Sequence, residues 1–310
     1  MPPAIEFVNV SKVYRRRLGG QQIPALSDIS FQVSTGEVCA FLGPNGAGKT
    51  TSMSILMGFL YADSGEIRVF DYAPGDVRAK RRIGFLPENF AFYKHLNAKK
   101  LLRFHLNLAG REVADPDALI AGLLEKVKLS GYEGLKIGKY SRGMVQRLGI
   151  AQALLGDPEL LVFDEPTSGL DPAGRKEIRE LMLALKAAGK TVFLSSHILS
   201  EVEQICDRVI IVDRGRLVRA GTLKEMLVRG DRVEMVVGAL PEEVEQRARE
   251  MGALIEREAQ GVRITIDVAH KRNLAEMLWT AGCDVISLNP AKSSLEDLFL
   301  KLVGDGGGQA

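Results

Sequence analysis

Cysteine is scarce in this chain. Three residues in 310, Cys39, Cys206 and Cys283, stand far apart with no Cys-x-x-Cys pair, which excludes a disulfide framework, argues against structural zinc and fits a reducing compartment. Cys39 lies in an apolar stretch and reads as a small buried hydrophobe. The four histidines, His95, His105, His197 and His270, show no metal-ligand spacing either. No stretch approaches the ~18 uninterrupted apolar residues of a membrane span. The opening MPPAIEFVNV has no basic segment followed by an apolar run. The expectation is a chain that neither spans a membrane nor enters the secretory path.

A strong excess of one charge is missing too, since 41 Lys and Arg face 39 Asp and Glu. The balance is uneven along the chain: from Asp231 onward 9 basic residues meet 14 acidic ones. The basic clusters Arg15-Arg16-Arg17, Lys80-Arg81-Arg82 and Lys99-Lys100 read first as solvated surface and second as neighbours of anionic lipid or nucleotide. They form no stripe of the kind that binds nucleic acid, so no nucleic-acid partner is expected.

What the chain does have is length for two domains and 46% hydrophobic residues to fill their cores. Alternation over Ala4 to Val10, Ile29 to Ser34 and Glu66 to Phe70 predicts a half-exposed antiparallel sheet. Continuous apolar runs at Glu37 to Leu42, Leu160 to Phe163, Thr191 to Ser195 and Val209 to Val212 predict a buried parallel core. Between them, residues 88–155 turn helical, most clearly over Ala98 to Ala109 and Ala118 to Leu129. The insert opens with Phe90, Phe92 and Tyr93, which suit either core packing or a groove.

The run Gly43-Pro44-Asn45-Gly46-Ala47-Gly48-Lys49-Thr50 comes after a predicted buried strand and precedes the helical spacing of TSMSILMGFL, which begins at Thr51. That order is the context a phosphate-binding loop requires. Glycines let successive backbone N–H groups turn toward phosphate oxygens, and the new helix adds its positive end. Lys49 would reach the β and γ phosphates, and the Thr50 hydroxyl would ligate Mg²⁺. Downstream, Tyr140 to Asp171 joins a polar loop, a helix, an apolar strand ending in Asp164-Glu165, and the turn SGLD. Two carboxylates at a buried strand end need a cation or a substrate proton beside them, which makes both candidates for chemistry.

Taken together, GPNGAGKT, the YSRGM loop, LLVFDE, SGLD and the histidine of LSSH resemble the ATP-binding subunit of an ABC transporter over about the first 230 residues. The resemblance implies a P-loop NTPase α/β core of the ABC type, with an antiparallel β subdomain and a helical insert, that hydrolyses ATP with Mg²⁺. It implies that Asp164 holds Mg²⁺, Glu165 polarises the attacking water, His197 contacts the γ phosphate, and Tyr14, expected just after the first strand, stacks on adenine. Phosphate contacts extend to Thr51. Two departures stand out. The signature loop, usually Leu-Ser-Gly-Gly-Gln, reads Tyr140-Ser141-Arg142-Gly143-Met144, keeping Ser141 and Gly143. Glu88 stands where most members carry Gln, and would contact nucleotide and metal.

The signature loop precedes the Asp-Glu strand by a helix, expected from Gly143, that would hold it on the order of 20 Å from the phosphates of its own chain. The family solves this by pairing two domains head to tail, so that Ser141 and Gly143 of one chain cap ATP held by the other, with Asp171 at the contact. The implied partners are a second ATPase subunit and a polytopic permease on a separate chain, at the cytoplasmic face of the membrane. Residues 231–303 alternate strands and helices as a small α+β, ferredoxin-like domain. Its last helix is expected to be capped by Ser293 with Glu296, ahead of a Gly-rich tail at 304–310. This tail domain resembles the extension of ABC-2 ATPase subunits, which mostly serve exporters. Alternatives are a soluble ABC-type ATPase acting on ribosomes or DNA, and a regulatory module that binds ATP without turnover. The first usually carries two cassettes or a long heptad arm, and the second usually lacks the carboxylate that Glu165 provides.

Overall fold

The computed structural model describes residues 2–15, 22–110, 112–258, 261–292 and 294–304. The chain divides into two compact units, Met1–Leu223 and Lys224–Ala310, a boundary ahead of the expected one at Asp231. Among the described residues, no helix is long and apolar enough to cross a membrane.

In the first unit, β1 (Ile5–Arg15) and β2 (Gln22–Val33) precede β3 (Val38–Leu42), α1 (Lys49–Leu56) and β4 (Ser64–Val69). Then come α2 (Val77–Lys80), β5 (Ile83–Leu86), α3 (Ala98–Leu108), α4 (Pro116–Lys126) and α5 (Arg142–Leu154). The unit continues with β6 (Leu160–Phe163), α6 (Pro172–Ala187), β7 (Thr191–Ser195), α7 (Leu199–Ile205), β8 (Arg208–Asp213) and β9 (Arg216–Thr222), and α8 (Leu223–Leu227) runs across the boundary.

Two sheets share a core. β2, β1 and β4 pair antiparallel in that order, and a six-stranded sheet runs β5-β6-β7-β3-β8-β9, parallel except at β9. Alternation does its work in β2, where Ile29, Phe31 and Val33 are buried while Ser30 and Gln32 face water. Phe31 stacks on Phe7 at 4.4 Å between ring centres and reaches Phe41 of β3 at 5.5 Å, joining the sheets. β3, β6 and β7 are buried at every position, as strands covered on both faces must be.

The order β6-β7-β3 matters for function. Parallel neighbours end on one edge, so the loops leaving β3, β6 and β7 gather there although they are scattered in sequence. Cys39 and Cys206 are both buried, and burial pushes both thiols up, away from reactivity.

Of the basic clusters, Arg15-Arg16-Arg17 falls at the edge of the described residues, with Arg16 and Arg17 outside them. Arg82 is not a free surface charge: its guanidinium grips Glu159 at 2.6 Å and lies 3.6 Å over the Phe70 ring. Lys99 pairs with Asp117 at 2.9 Å.

The second unit contains β10 (Val228–Val237), α9 (Glu242–Glu250), β11 (Leu254–Glu258), β12 (Gly261–Asp267), α10 (Lys271–Thr280), β13 (Val285–Lys292) and α11 (Leu295–Gly304). Its sheet runs β11-β12-β10-β13, antiparallel throughout. That is the split βαβ arrangement expected of a ferredoxin-like domain. Val233, Met235, Val237, Ile264 and Ile266 pack with Leu274 and Leu278 of α10 in its core. Ser293 lies outside the described residues; α11 is instead capped one residue later, where Ser294 Oγ accepts from Asp297 N at 3.0 Å. Residues 305–310 of the Gly-rich tail also lie outside the described residues.

Candidate functional site

The loop between β3 and α1 is held by close backbone approach. Gly43 has no room for a Cβ because the Val212 carbonyl occupies that position, and at Gly48, with φ +102°, a Cβ would lie 2.6 Å from Ala25 O. Ala47 N donates to Pro44 O at 3.1 Å, and Gly215 N donates to Ala47 O at 3.1 Å, tying the loop to the turn after β8. Lys49 Nζ donates to Gly43 O at 2.7 Å and Pro44 O at 3.2 Å, so the ammonium is folded back across its own loop.

Opposite stands the strand-end pair. Asp164 is buried, and Ser195 Oγ donates to its Oδ1 at 2.6 Å while accepting from Glu165 N at 2.8 Å. One hydroxyl from β7 thereby fixes both members. Glu165 takes a left-handed φ of +51°, a strained conformation for a side-chain-bearing residue. Glu165 Oε2 lies 2.7 Å from His197 Nδ1, with the histidine 61% exposed and the glutamate 11%.

Tyr14 lies on β1 rather than after it, because pairing with Ile23 prolongs the strand beyond the expected Val10. Its hydroxyl is 3.4 Å from Thr51 Oγ1. A cleft of about 590 Å³ is lined by Tyr14, Asn45, Gly46, Gly48, Lys49, Thr50, Thr51, Glu88, Asp164, Glu165 and His197. Gly43, Pro44 and Ala47 belong to the same loop but are not among the residues that line the cleft. Ile23, Pro24, Ala25 and Ser168 complete the wall. Sequence reasoning missed these four and Ser195. The signal for Ser195 was its place two residues before His197; the others depend on which strand lies beside the loop, which spacing does not report.

Ser141, Gly143 and Asp171 are elsewhere. They line a separate cavity of about 420 Å³ with Arg142, Gly169 and Leu170. α5 begins at Arg142, one residue before the expected Gly143, because Ser141 is the N-cap and its Oγ accepts from Met144 N at 3.2 Å. Asp171 caps α6 in the same way, accepting from Gly174 N at 2.9 Å.

Chemically, the large cleft offers backbone donors and an ammonium to phosphates and a fixed carboxylate to water, with a histidine beside it. That division of labour is the one by which P-loop nucleoside triphosphatases work, and the strand order places the loop where such enzymes hold it.

Comparison narrows the class. The family model described as ABC transporter matches residues 26–168. An uncharacterized ABC transporter ATP-binding protein of a Synechocystis strain is 38% identical over 98% of this chain and 85% of its own length. The bacitracin transport ATP-binding protein of Bacillus licheniformis is 34% identical over 99% of each. The Nod factor export ATP-binding protein of Rhizobium etli is 33% identical over 97% of this chain and 93% of its own. An ATP-binding cassette solved as a dimer with ADP and Pi superposes with a TM-score of 0.64 at 25% identity, covering 71% of this chain and 98% of that one. The chain belongs to the ABC transporter ATP-binding proteins, and it binds and hydrolyses ATP.

Proposed function

We propose that this chain is the motor subunit of an ABC-2-type exporter and works as a pair, each copy completing the other's ATP site. The observation that carries this reading is the separation of the two cavities. Lys49, Asp164 and Glu165 face one, while Ser141, Gly143 and Asp171 face another. A chain built this way needs a second copy to bring its own Ser141 loop to the nucleotide.

Within the cleft, the loop from Gly43 to Thr51 cradles the phosphates, Lys49 swings from its loop carbonyls to the β and γ oxygens, and Tyr14 stacks on adenine. Glu165 orients the attacking water and accepts its proton, held by His197, which also reaches the γ phosphate. Thr50, Asp164 and Glu88 would hold Mg²⁺, which when bound supplies charge neutralisation across the phosphates. The donor set fits such an ion: one hydroxyl and two carboxylates, all hard oxygen ligands, line the same cleft.

The ATPase part spans residues 1–230 and the accessory domain 231–303. A polytopic permease on another chain docks on the insert. Phe90, Phe92, Tyr93, Phe104 and Leu108 line a groove of about 420 Å³, with Tyr93 62% and Leu108 72% exposed, suited to a short apolar helix. Phe90 serves both core and groove, since it also packs against Gly149 of α5. Glu88 at one end and the groove at the other let closure on ATP become rigid-body rotation. The name of the Nod factor relative, an export ATP-binding protein, supports export, and docking would hold the chain at the cytoplasmic face of the membrane.

The test is affinity purification of the tagged chain from gently solubilised membranes. A stoichiometric polytopic partner that stimulates ATP turnover is expected. Recovery from cytosol alone, with ribosomes or nucleic acid, would overturn the exporter reading and favour the soluble alternative.

A further inference from the structure

Arg142 occupies the signature loop where the usual sequence has glycine, and none of the roles above uses it. Its guanidinium lies directly over Gly169, in the space a Cβ on that residue would need. Gly169 has a φ of +67°, so the notch exists because this turn suits glycine. The group is therefore seated rather than free to sweep, although the residue is exposed. Among the described residues it has no hydrogen-bond or ion-pair partner.

The other charges lining this cavity are committed at least in part. Arg147 Nη1 lies 3.4 Å from Glu177 Oε2 and donates to Lys128 O at 3.0 Å. Asp171 spends Oδ1 on Gly174 N. Ser141 Oγ accepts from Met144 N, which leaves its O–H free to donate outward. Apart from Asp171 Oδ2, the uncommitted groups side by side are donors: one hydroxyl and the five N–H of a guanidinium. That set recognises a cluster of anionic oxygens, and a planar fork pre-set on a backbone gives up little freedom in doing so.

We propose that Arg142 is a phosphate-contacting residue acting in trans, donating to the γ phosphate of ATP held by a second copy of this chain. The proposal rests on the paired-site reading above. It makes closure sensitive to the presence of the third phosphate through a full charge, where Ser141 and Gly143 offer only neutral donors. Arg142 makes no contact with the nucleotide cleft of its own chain, whose lining excludes it.

The experiment uses the full chain with Glu165→Gln, to block turnover, alone and combined with Arg142→Gln or Arg142→Lys. Sedimentation velocity follows dimer formation across ATP concentration with Mg²⁺ at two salt concentrations, and inorganic phosphate replaces ATP in a parallel series. Fluorescent nucleotide binding to dilute monomer reports the chain's own loop. Arg142→Gln should raise the ATP concentration for half dimerisation by about tenfold or more, as loss of a charged hydrogen bond predicts. It should also flatten the salt dependence and leave monomer binding unchanged, with Arg142→Lys recovering part of the loss. Phosphate alone should give no dimer. If the Gln and Arg forms dimerise at equal ATP with equal salt dependence, Arg142 has no such role while the paired site stands. If phosphate alone dimerises the chain, the loop is a free-phosphate site and the trans contact is wrong. A Glu165→Gln chain that stays monomeric in saturating ATP removes the paired-site reading, and this inference with it.

Discussion

Ser195 shows how much a single hydroxyl holds at this site. It donates to buried Asp164 and accepts from the backbone of Glu165, so Ser195→Ala leaves one acceptor and one donor unpaired. The expected cost is ~1–3 kcal/mol of stability with slower ATP turnover, read by thermal unfolding and phosphate release. An unchanged melting temperature would show the bridge to be dispensable. Lys49→Ala should weaken ATP affinity by at least about tenfold, since it removes a charge-assisted contact to phosphate; equal affinity by calorimetry would contradict the assignment of the loop. Lys49 and Glu165 were legible because each belongs to a contiguous run whose spacing carries a mechanism. Ser195 was not, because its function arises from β6 and β7 being neighbours, and adjacency of strands 31 residues apart is a property of the sheet.

Among the elements, the buried strands were read almost to the residue, since unbroken apolar runs bounded by turns admit few alternatives. β5 was missed. Four residues, Ile83–Leu86, beside three basic ones offer no periodicity, and the strand exists because the sheet edge next to β6 accepts it. Helix starts moved by one residue where a serine could cap, as at Ser141 and Ser294. Asn97 caps α3 by accepting from Lys100 N at 2.8 Å, so Asn97→Ala should cost ~1 kcal/mol without altering ATP affinity.

The insert also carries an acid-sensitive tie. Arg103 and Lys99 hold the Asp117 carboxyl down to about 2. A depressed carboxylate stabilises above its unfolded value of ~4 and loses that contribution as pH falls toward the folded one. The α3–α4 pair should therefore loosen between pH ~4 and ~2, and hydrogen exchange there should lose its pH step in Asp117→Asn. Phe92→Asp, in the groove, should leave turnover by the isolated chain intact and abolish recovery of a membrane partner.

At the scale of the whole molecule, composition bounded the answer to two domains and motif order supplied the family, but no spacing could say which loops share a cavity. That came from the fold, which puts Ser141 and Asp171 on one surface and Lys49 with Glu165 on another. In the paired-site reading, one chain cannot complete its own ATP site. The most direct measurement is the mass of the full-length Glu165→Gln chain in solution with Mg²⁺ and ATP, set against the same chain with ADP. A doubling of mass with ATP, one trapped nucleotide per chain, no turnover and a monomer in ADP are expected. A saturated monomer, or near wild-type hydrolysis by the variant, would contradict it.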